Sequence, residues 1–294
     1  VTRRRFFLTL LVGGLMALSA QAETIPKAVT ADPPADVKFP ARMEVIHVPS
    51  GGVLINGIVY VAKGAGPHPT LVLFHGLPGN EKNLDLAQAV RRDGWNAVAI
   101  NYRGSWGSPG NFSFAQNLED AKAVLAFLRD GDNARRLAVD PMRIAIGGHS
   151  MGGWVAAETA ANDPGILGAV LISAADIGAI GQFAQQDRAG AIGFLNDNGL
   201  ESLAGVTAAS MADELAAHAA DWSLPRLAPK LVGTRLYVLY SHDFVRAHSE
   251  SLIKAIKDDG GKLVQSRLEP TDHGWSDHRI ALAALVVTWL NGLH

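Results

Sequence analysis

The chain has 294 residues, 48% of them hydrophobic and 18% charged, with a net charge of −2; these are the proportions of a globular protein with an ample core. So small a charge gives no electrostatic case for binding nucleic acid or an acidic membrane surface. Cysteine is absent, which excludes disulfides, thiolate metal sites and a cysteine nucleophile.

The first segment reads as an address. Thr2-Arg3-Arg4-Arg5 is a basic head, Phe6 to Leu18 is an apolar run broken by Thr9 and two glycines, and Ala20-Gln21-Ala22 is a small-x-small cleavage site. That order predicts a secretory signal peptide over 1–22, with Glu23 as the mature start and a periplasmic or secreted protein. The apolar run is shorter than the ~20 residues of a spanning helix, so no membrane span is expected after cleavage; an uncleaved anchor is the alternative. Thr2 to Phe7 also resembles a twin-arginine export signal, and an ordinary basic head fits equally well. Residues 23–41, rich in Pro, Ala and Asp without periodicity, read as a flexible leader.

From residue 42 onward the chain reads as one domain, 42–294. Arg42 to Val48 and Val53 to Ala62, around Pro49-Ser50-Gly51-Gly52, predict an antiparallel hairpin. Apolar strands then alternate with helices. Strands are expected at Thr70–Phe74, Ala97–Asn101, Arg143–Ile146, Ile166–Ile172, Thr234–Tyr240 and Lys262–Leu268. Helices are expected at Leu84–Arg92, Leu118–Arg129, Trp154–Ala161, Arg246–Asp258 and Ala281–Leu290. Such alternation implies an α/β fold, a mostly parallel central sheet with helices on both faces and right-handed crossovers. The interval 176–233 has no strand, only Ala- and Gly-rich helical stretches. It is longer than a simple crossover needs, which points to a helical cap over the site.

Arg143-Ile144-Ala145-Ile146-Gly147-Gly148-His149-Ser150-Met151-Gly152-Gly153-Trp154 is an apolar run ending in glycines around a single serine. It reads as a strand, a sharp turn and a helix that hold the Ser150 hydroxyl at the tip. Gly148 and Gly152 have no Cβ to crowd that turn. The pattern alone is weak and needs partners, because a serine hydroxyl needs a base, an acid that orients the base, and N–H donors for the oxyanion. In an open parallel sheet these gather beyond the carboxyl ends of the strands.

His273 follows the last strand and is the expected base; His278 reads as entering the terminal helix, His149 as facing away from the group Ser150 presents, and His75 as shaping its loop. Asp243 closes the strand ending at Tyr240 and is the expected acid, with Asp176 as the alternative, while Asp272 reads as a turn residue. The oxyanion donors are expected to be the backbone N–H groups of Met151, at a helix N-terminus, and of Leu77, in the turn His75-Gly76-Leu77-Pro78-Gly79-Asn80. Trp106, Phe112, Phe114 and Trp154 are candidates for lining an acyl pocket, with buried packing as the other reading.

The order Ser150, Asp243, His273, with His75-Gly76 upstream, resembles the α/β-hydrolase fold superfamily from about Glu44 to the C-terminus. Asn101-Tyr102-Arg103-Gly104-Ser105-Trp106-Gly107-Ser108 resembles a loop of its prolyl-oligopeptidase-like and dienelactone-hydrolase-like branch. The chain before the first central strand is too short for a prolyl-oligopeptidase propeller. Dienelactone hydrolases use cysteine where this chain has Ser150, and Tyr240 stands where a glycine is usual near the acid. The resemblance implies an esterase or peptidase acting through an acyl-enzyme on a small ester or short peptide, with no metal or organic cofactor. A non-catalytic ligand-binding protein of this fold and an acyltransferase or perhydrolase are the other readings; the oligomeric state is open.

Overall fold

A computed structural model describes residues 25–293; the expected signal peptide, 1–22, lies outside the described residues. The chain runs through α1 (Lys27–Thr30), the hairpin β1 (Arg42–Ser50) and β2 (Val53–Val61), β3 (His68–Phe74), α2 (Leu84–Arg92) and β4 (Asn96–Ile100). It continues through α3 (Phe114–Arg129), α4 (Gly131–Leu137), β5 (Val139–His149), α5 (Met151–Asn162) and β6 (Ala169–Ile172). Three helices follow, α6 (Ile177–Gln186), α7 (Arg188–Asp197) and α8 (Ala208–Ala217), then a 3₁₀ turn at Leu224–Leu227 and α9 (Ala228–Leu231). The chain closes with β7 (Leu236–Ser241), α10 (Arg246–Asp258), β8 (Val264–Glu269) and α11 (Arg279–Asn291).

The eight strands form one sheet in the order β1-β2-β4-β3-β5-β6-β7-β8. The hairpin and the β2–β4 pairing are antiparallel; from β4 to β8 the pairs are parallel. The continuous apolar runs have a physical cause here, since both sheet faces are covered. Val72 and Phe74 enter the core shared with α3 and α5, while Leu71 and Leu73 enter the one shared with α2 and α11. Among the described residues no helix is long and apolar enough to cross a membrane.

Several local expectations take a different form. The stretch read as a flexible leader touches the domain at Ala28 and Pro34. Ala28 is buried, Arg92 Nε donates to the Ala28 carbonyl at 2.6 Å, and Lys63 Nζ donates to the Pro34 carbonyl at 2.6 Å. α3 begins at Phe114 rather than Leu118, because the Ser113 side chain accepts from the Gln116 N–H and caps it there. α4 was not expected at all. Its sequence is polar, and what defines it is Asp130, whose carboxylate accepts from the N–H groups of Asp132 and Asn133.

The interval 176–233 contains helices and no strand. It is tied to the loop after β4 by a lone bridge between Ser105 and Leu203 and by backbone bonds from Trp106 N to Ser202 O at 2.9 Å and from Ala204 N to Gly104 O at 2.7 Å. Ser113 Oγ also donates to Glu214 of α8 at 2.6 Å.

Candidate active site

Ser150 sits between β5 and α5 with φ +56° and ψ −121°, a conformation that costs a non-glycine residue of order 1–3 kcal/mol and persists only where the surroundings hold it. Three backbone bonds hold it. Ser150 N–H donates to Ile172 O at 3.0 Å, and Ser150 O accepts from Gly153 N at 2.9 Å and from Ala175 N at 3.0 Å. The flanking glycines are required by contact. A Cβ on Gly148 would lie 1.9 Å from Gly152 O, and one on Gly152 would lie 2.0 Å from Phe74 O.

His273 follows β8, and its Nδ1 lies 2.7 Å from Asp243 Oδ2, beyond β7. A carboxylate only accepts, so the proton sits on Nδ1 and the Nε2 lone pair is free to take another. Asp243 also accepts from Ser241 Oγ at 2.8 Å and from Val245 N–H at 3.0 Å. Burial pushes this carboxyl up, but the bonds from His273 and Ser241 outweigh it and hold the pKa below the ordinary aspartate value. The His273 loop is anchored by Arg279, which donates to Gly274 O at 3.0 Å and to Asn83 Oδ1 at 2.9 Å and pairs with Asp85.

Ser150 and His273 line one cavity of about 140 Å³, together with Leu77 and Met151. Met151 opens α5, so its N–H has no acceptor within the helix. The turn carrying Leu77 passes against the elbow, since a Cβ on Gly76 would lie 3.0 Å from Ser150 Cβ. Phe114, Ile177, Ile180, Leu195 and Leu215 make the remaining wall largely apolar, and four of these five come from the 176–233 interval. Among the described residues, the only ionisable side chains lining the cavity are His149 and His273.

Other candidates have different work. Asp176 caps α6 through Ala179 N at 3.1 Å, and its own N–H donates to His248 Nδ1 at 3.0 Å. Asp272 accepts from Ser276 N at 2.8 Å as a turn residue, and His278 immediately precedes α11. His75 is buried and donates from Nδ1 to Gly76 O at 2.8 Å; burial lowers its pKa to about 4.

Both tryptophan expectations are corrected. Trp154 is completely buried against Trp222, ring centroids 5.3 Å apart; it is a core residue on the inward face of α5. Trp106 is 38% exposed and outside the Ser150 cavity. Its Nε1 donates to Pro78 O at 2.7 Å, and Lys82 Nζ sits 4.4 Å above its ring.

His149, read as facing away, lines the cavity. Its Nε2 donates to His273 O at 2.8 Å, and the two rings are 4.7 Å apart. Burial, then the nearby His273, lowers its pKa to about 4, so it is neutral near pH 7. Ser241 was also missed, although a hydroxyl two residues before the expected acid is a signal the sequence carries. Among the described residues no three His, Asp or Glu side chains are grouped as a metal site would need.

The fold and this placement at the strand ends agree with what comparison finds: the chain belongs to the alpha/beta hydrolase family, whose model matches residues 71–285. An uncharacterized protein of Mycobacterium tuberculosis is 29% identical over 152 residues, 50% of this chain and 52% of that one. The chain thus spans about half the length of that curated relative. Among solved structures, a thermostable carboxylesterase cloned from a metagenomic library superposes with TM-score 0.63 at 23% identity, over 88% of this chain and 92% of that one. An acylaminoacyl peptidase of Pyrococcus horikoshii gives 0.62 at 17% identity, over 87% of this chain and 42% of its own. At these identities the likeness is one of fold.

Proposed function

We propose that the protein is an exported serine hydrolase that cleaves carboxylic esters of short apolar acyl groups through an acyl-enzyme. The observation that carries this reading is the 2.7 Å contact between His273 Nδ1 and Asp243, with Ser150 on a strained elbow in the cavity His273 also lines. Ser150 Oγ attacks the ester carbonyl while His273 Nε2 takes its proton, and Asp243 stabilises the imidazolium that forms. The N–H groups of Leu77 and Met151 receive the oxyanion, each donor contributing ~3 kcal/mol to the transition state. His273 then protonates the departing alkoxide, and the same base activates water to release the acid from Ser150.

The cavity supports the substrate class. Its volume of about 140 Å³ is close to that of a cavity known to admit benzene, about 150 Å³, so an acyl group of up to about six carbons fits. Among the described residues no carboxylate lines it, so the free ammonium of a peptide terminus would be buried unpaired there. An amide leaving group also needs more protonation than an alkoxide. Peptidase action, the second reading, has a neighbour of the same fold in its favour but no feature of this cavity. Export rests on the Arg3 to Ala22 pattern.

One preparation tests both parts. Protein recovered outside the cytoplasm is expected to begin at Glu23. With p-nitrophenyl esters, kcat/KM is expected to rise from acetyl to butanoyl or hexanoyl and fall at decanoyl, with aminoacyl-nitroanilides turned over markedly more slowly. Protein found only in the cytoplasm would overturn export; fastest turnover of decanoyl esters or of anilides would overturn the substrate class.

A further inference from the structure

Behind the acid lies a chain of hydrogen bonds whose direction is fixed at both ends. Trp275 is fully buried, and its indole N–H lies 3.1 Å from Ser173 Oγ. Ser173 Oγ is 2.8 Å from Ser241 Oγ. Ser241 Oγ is 2.8 Å from Asp243 Oδ2, the oxygen that also meets His273 Nδ1. An indole N–H can only donate, and a carboxylate can only accept. Each serine has one proton, so one assignment satisfies all three contacts: Trp275 donates to Ser173, Ser173 to Ser241, and Ser241 to Asp243.

We propose that Trp275, Ser173 and Ser241 are positioning residues that together aim the Asp243 carboxylate at His273. The proposal rests on the reading of Asp243 and His273 given above. The path is a closed ring. Ser173 follows β6, Ser241 ends β7, and Trp275 stands two residues after His273, on the same loop as the base. The ring therefore ties that loop to two neighbouring strand ends, with Ser173, Ser241 and Trp275 each at most 1% exposed. Ser173 and Trp275 both hold left-handed backbone conformations, φ +42° and +58°. Each is pinned by a backbone bond, Ser173 N to Leu239 O at 2.8 Å and Trp275 N to Asp272 O at 3.1 Å. Strain kept at two residues whose side chains point at one another fits a device for orientation better than simple packing. In a low-dielectric site such a chain is polarised along its length, and its charged end gains the most.

The test uses the mature enzyme and three variants, Ser241→Ala, Ser241→Thr and Trp275→Phe, the last keeping an aromatic ring without the N–H. Wild-type enzyme is first titrated with a fluorophosphonate. A wild type that fails to label at Ser150 would sink the nucleophile assignment itself, a different failure from that of the ring. With labelling established, Ser241→Ala is expected to lower kcat about ten- to a hundredfold, the scale of a lost bond to a charged group, with KM little changed. A carboxylate no longer aimed at His273 Nδ1 holds imidazolium less firmly, so the acid limb of kcat/KM is expected to move to lower pH. Ser241→Thr restores both kcat and the limb, and Trp275→Phe moves them in the same direction by less. If Ser241→Ala keeps kcat within twofold, the proposal is overturned. It is equally overturned if activity falls with the limb unmoved and Thr without effect, the result of a merely structural role.

Discussion

Asp176 and Asp243 follow adjacent strands, and by residue type and strand-end position either suits the acid. Their contacts separate them. Asp243 meets His273 Nδ1 at 2.7 Å, whereas the Asp176 carboxylate is spent on the first turn of α6. Asparagine in place of Asp243 keeps the volume and removes the charge that stabilises imidazolium, so Asp243→Asn is expected to lower kcat by about 10⁴, the size of that effect in a comparable triad. Asp176→Asn preserves the cap and is expected to stay within a few-fold of wild type; steady-state kinetics on the pair decides, and the reverse order would transfer the role. Ser150, His273 and Asp243 each follow a strand, and the fold brings those strand ends together: His273 meets Asp243, and Ser150 and His273 line one cavity. Trp106, Trp154 and His149 could not be read that way. Whether an aromatic lines a cavity depends on packing from distant segments: Trp222 covers Trp154, and the His273 carbonyl draws His149 into the site.

The elements were legible in proportion to how much of their cause is local. Strands β3 to β7 read as apolar runs because both faces of the sheet are covered, and α2 and α10 appear at their expected bounds. α4 shows no apolar stripe, so only its cap at Asp130 could have revealed it. Ala28 and Pro34, in the stretch read as a leader, are held by Arg92 and Lys63, which lie far along the chain, and its Pro- and Ala-rich composition gives no sign of them. The helices of the 176–233 interval were visible as helices. That α6, α7 and α8 supply Ile180, Leu195 and Leu215 to the Ser150 cavity is a tertiary fact that their composition does not announce.

At the scale of the molecule, His75 and His149 are buried neutral groups whose pKa values fall from 6.5 to about 4 on folding. Between those values the unfolded chain binds the protons and the folded one does not, so stability is full above about pH 6.5 and falls as pH drops toward 4. A tenfold difference in proton affinity between the two states corresponds to about 1.4 kcal/mol, so the two histidines together are expected to cost several kcal/mol across that window. Asp243 and Asp85, both held below the ordinary aspartate value, lose their contributions only at lower pH. Thermal denaturation at pH 7, 6 and 5 is expected to show a falling Tm, with a shallower slope in His149→Gln; an unchanged slope in that variant would remove His149 from this account.

In the proposed reaction every role converges on one oxygen, Ser150 Oγ. Its nucleophilicity is tested most directly by reacting the mature protein with a fluorophosphonate and locating the adduct by mass spectrometry. The account predicts a single adduct on Ser150, absent from Ser150→Ala and formed far more slowly in His273→Ala. An adduct on another residue, or labelling of Ser150→Ala at the wild-type rate, would contradict it.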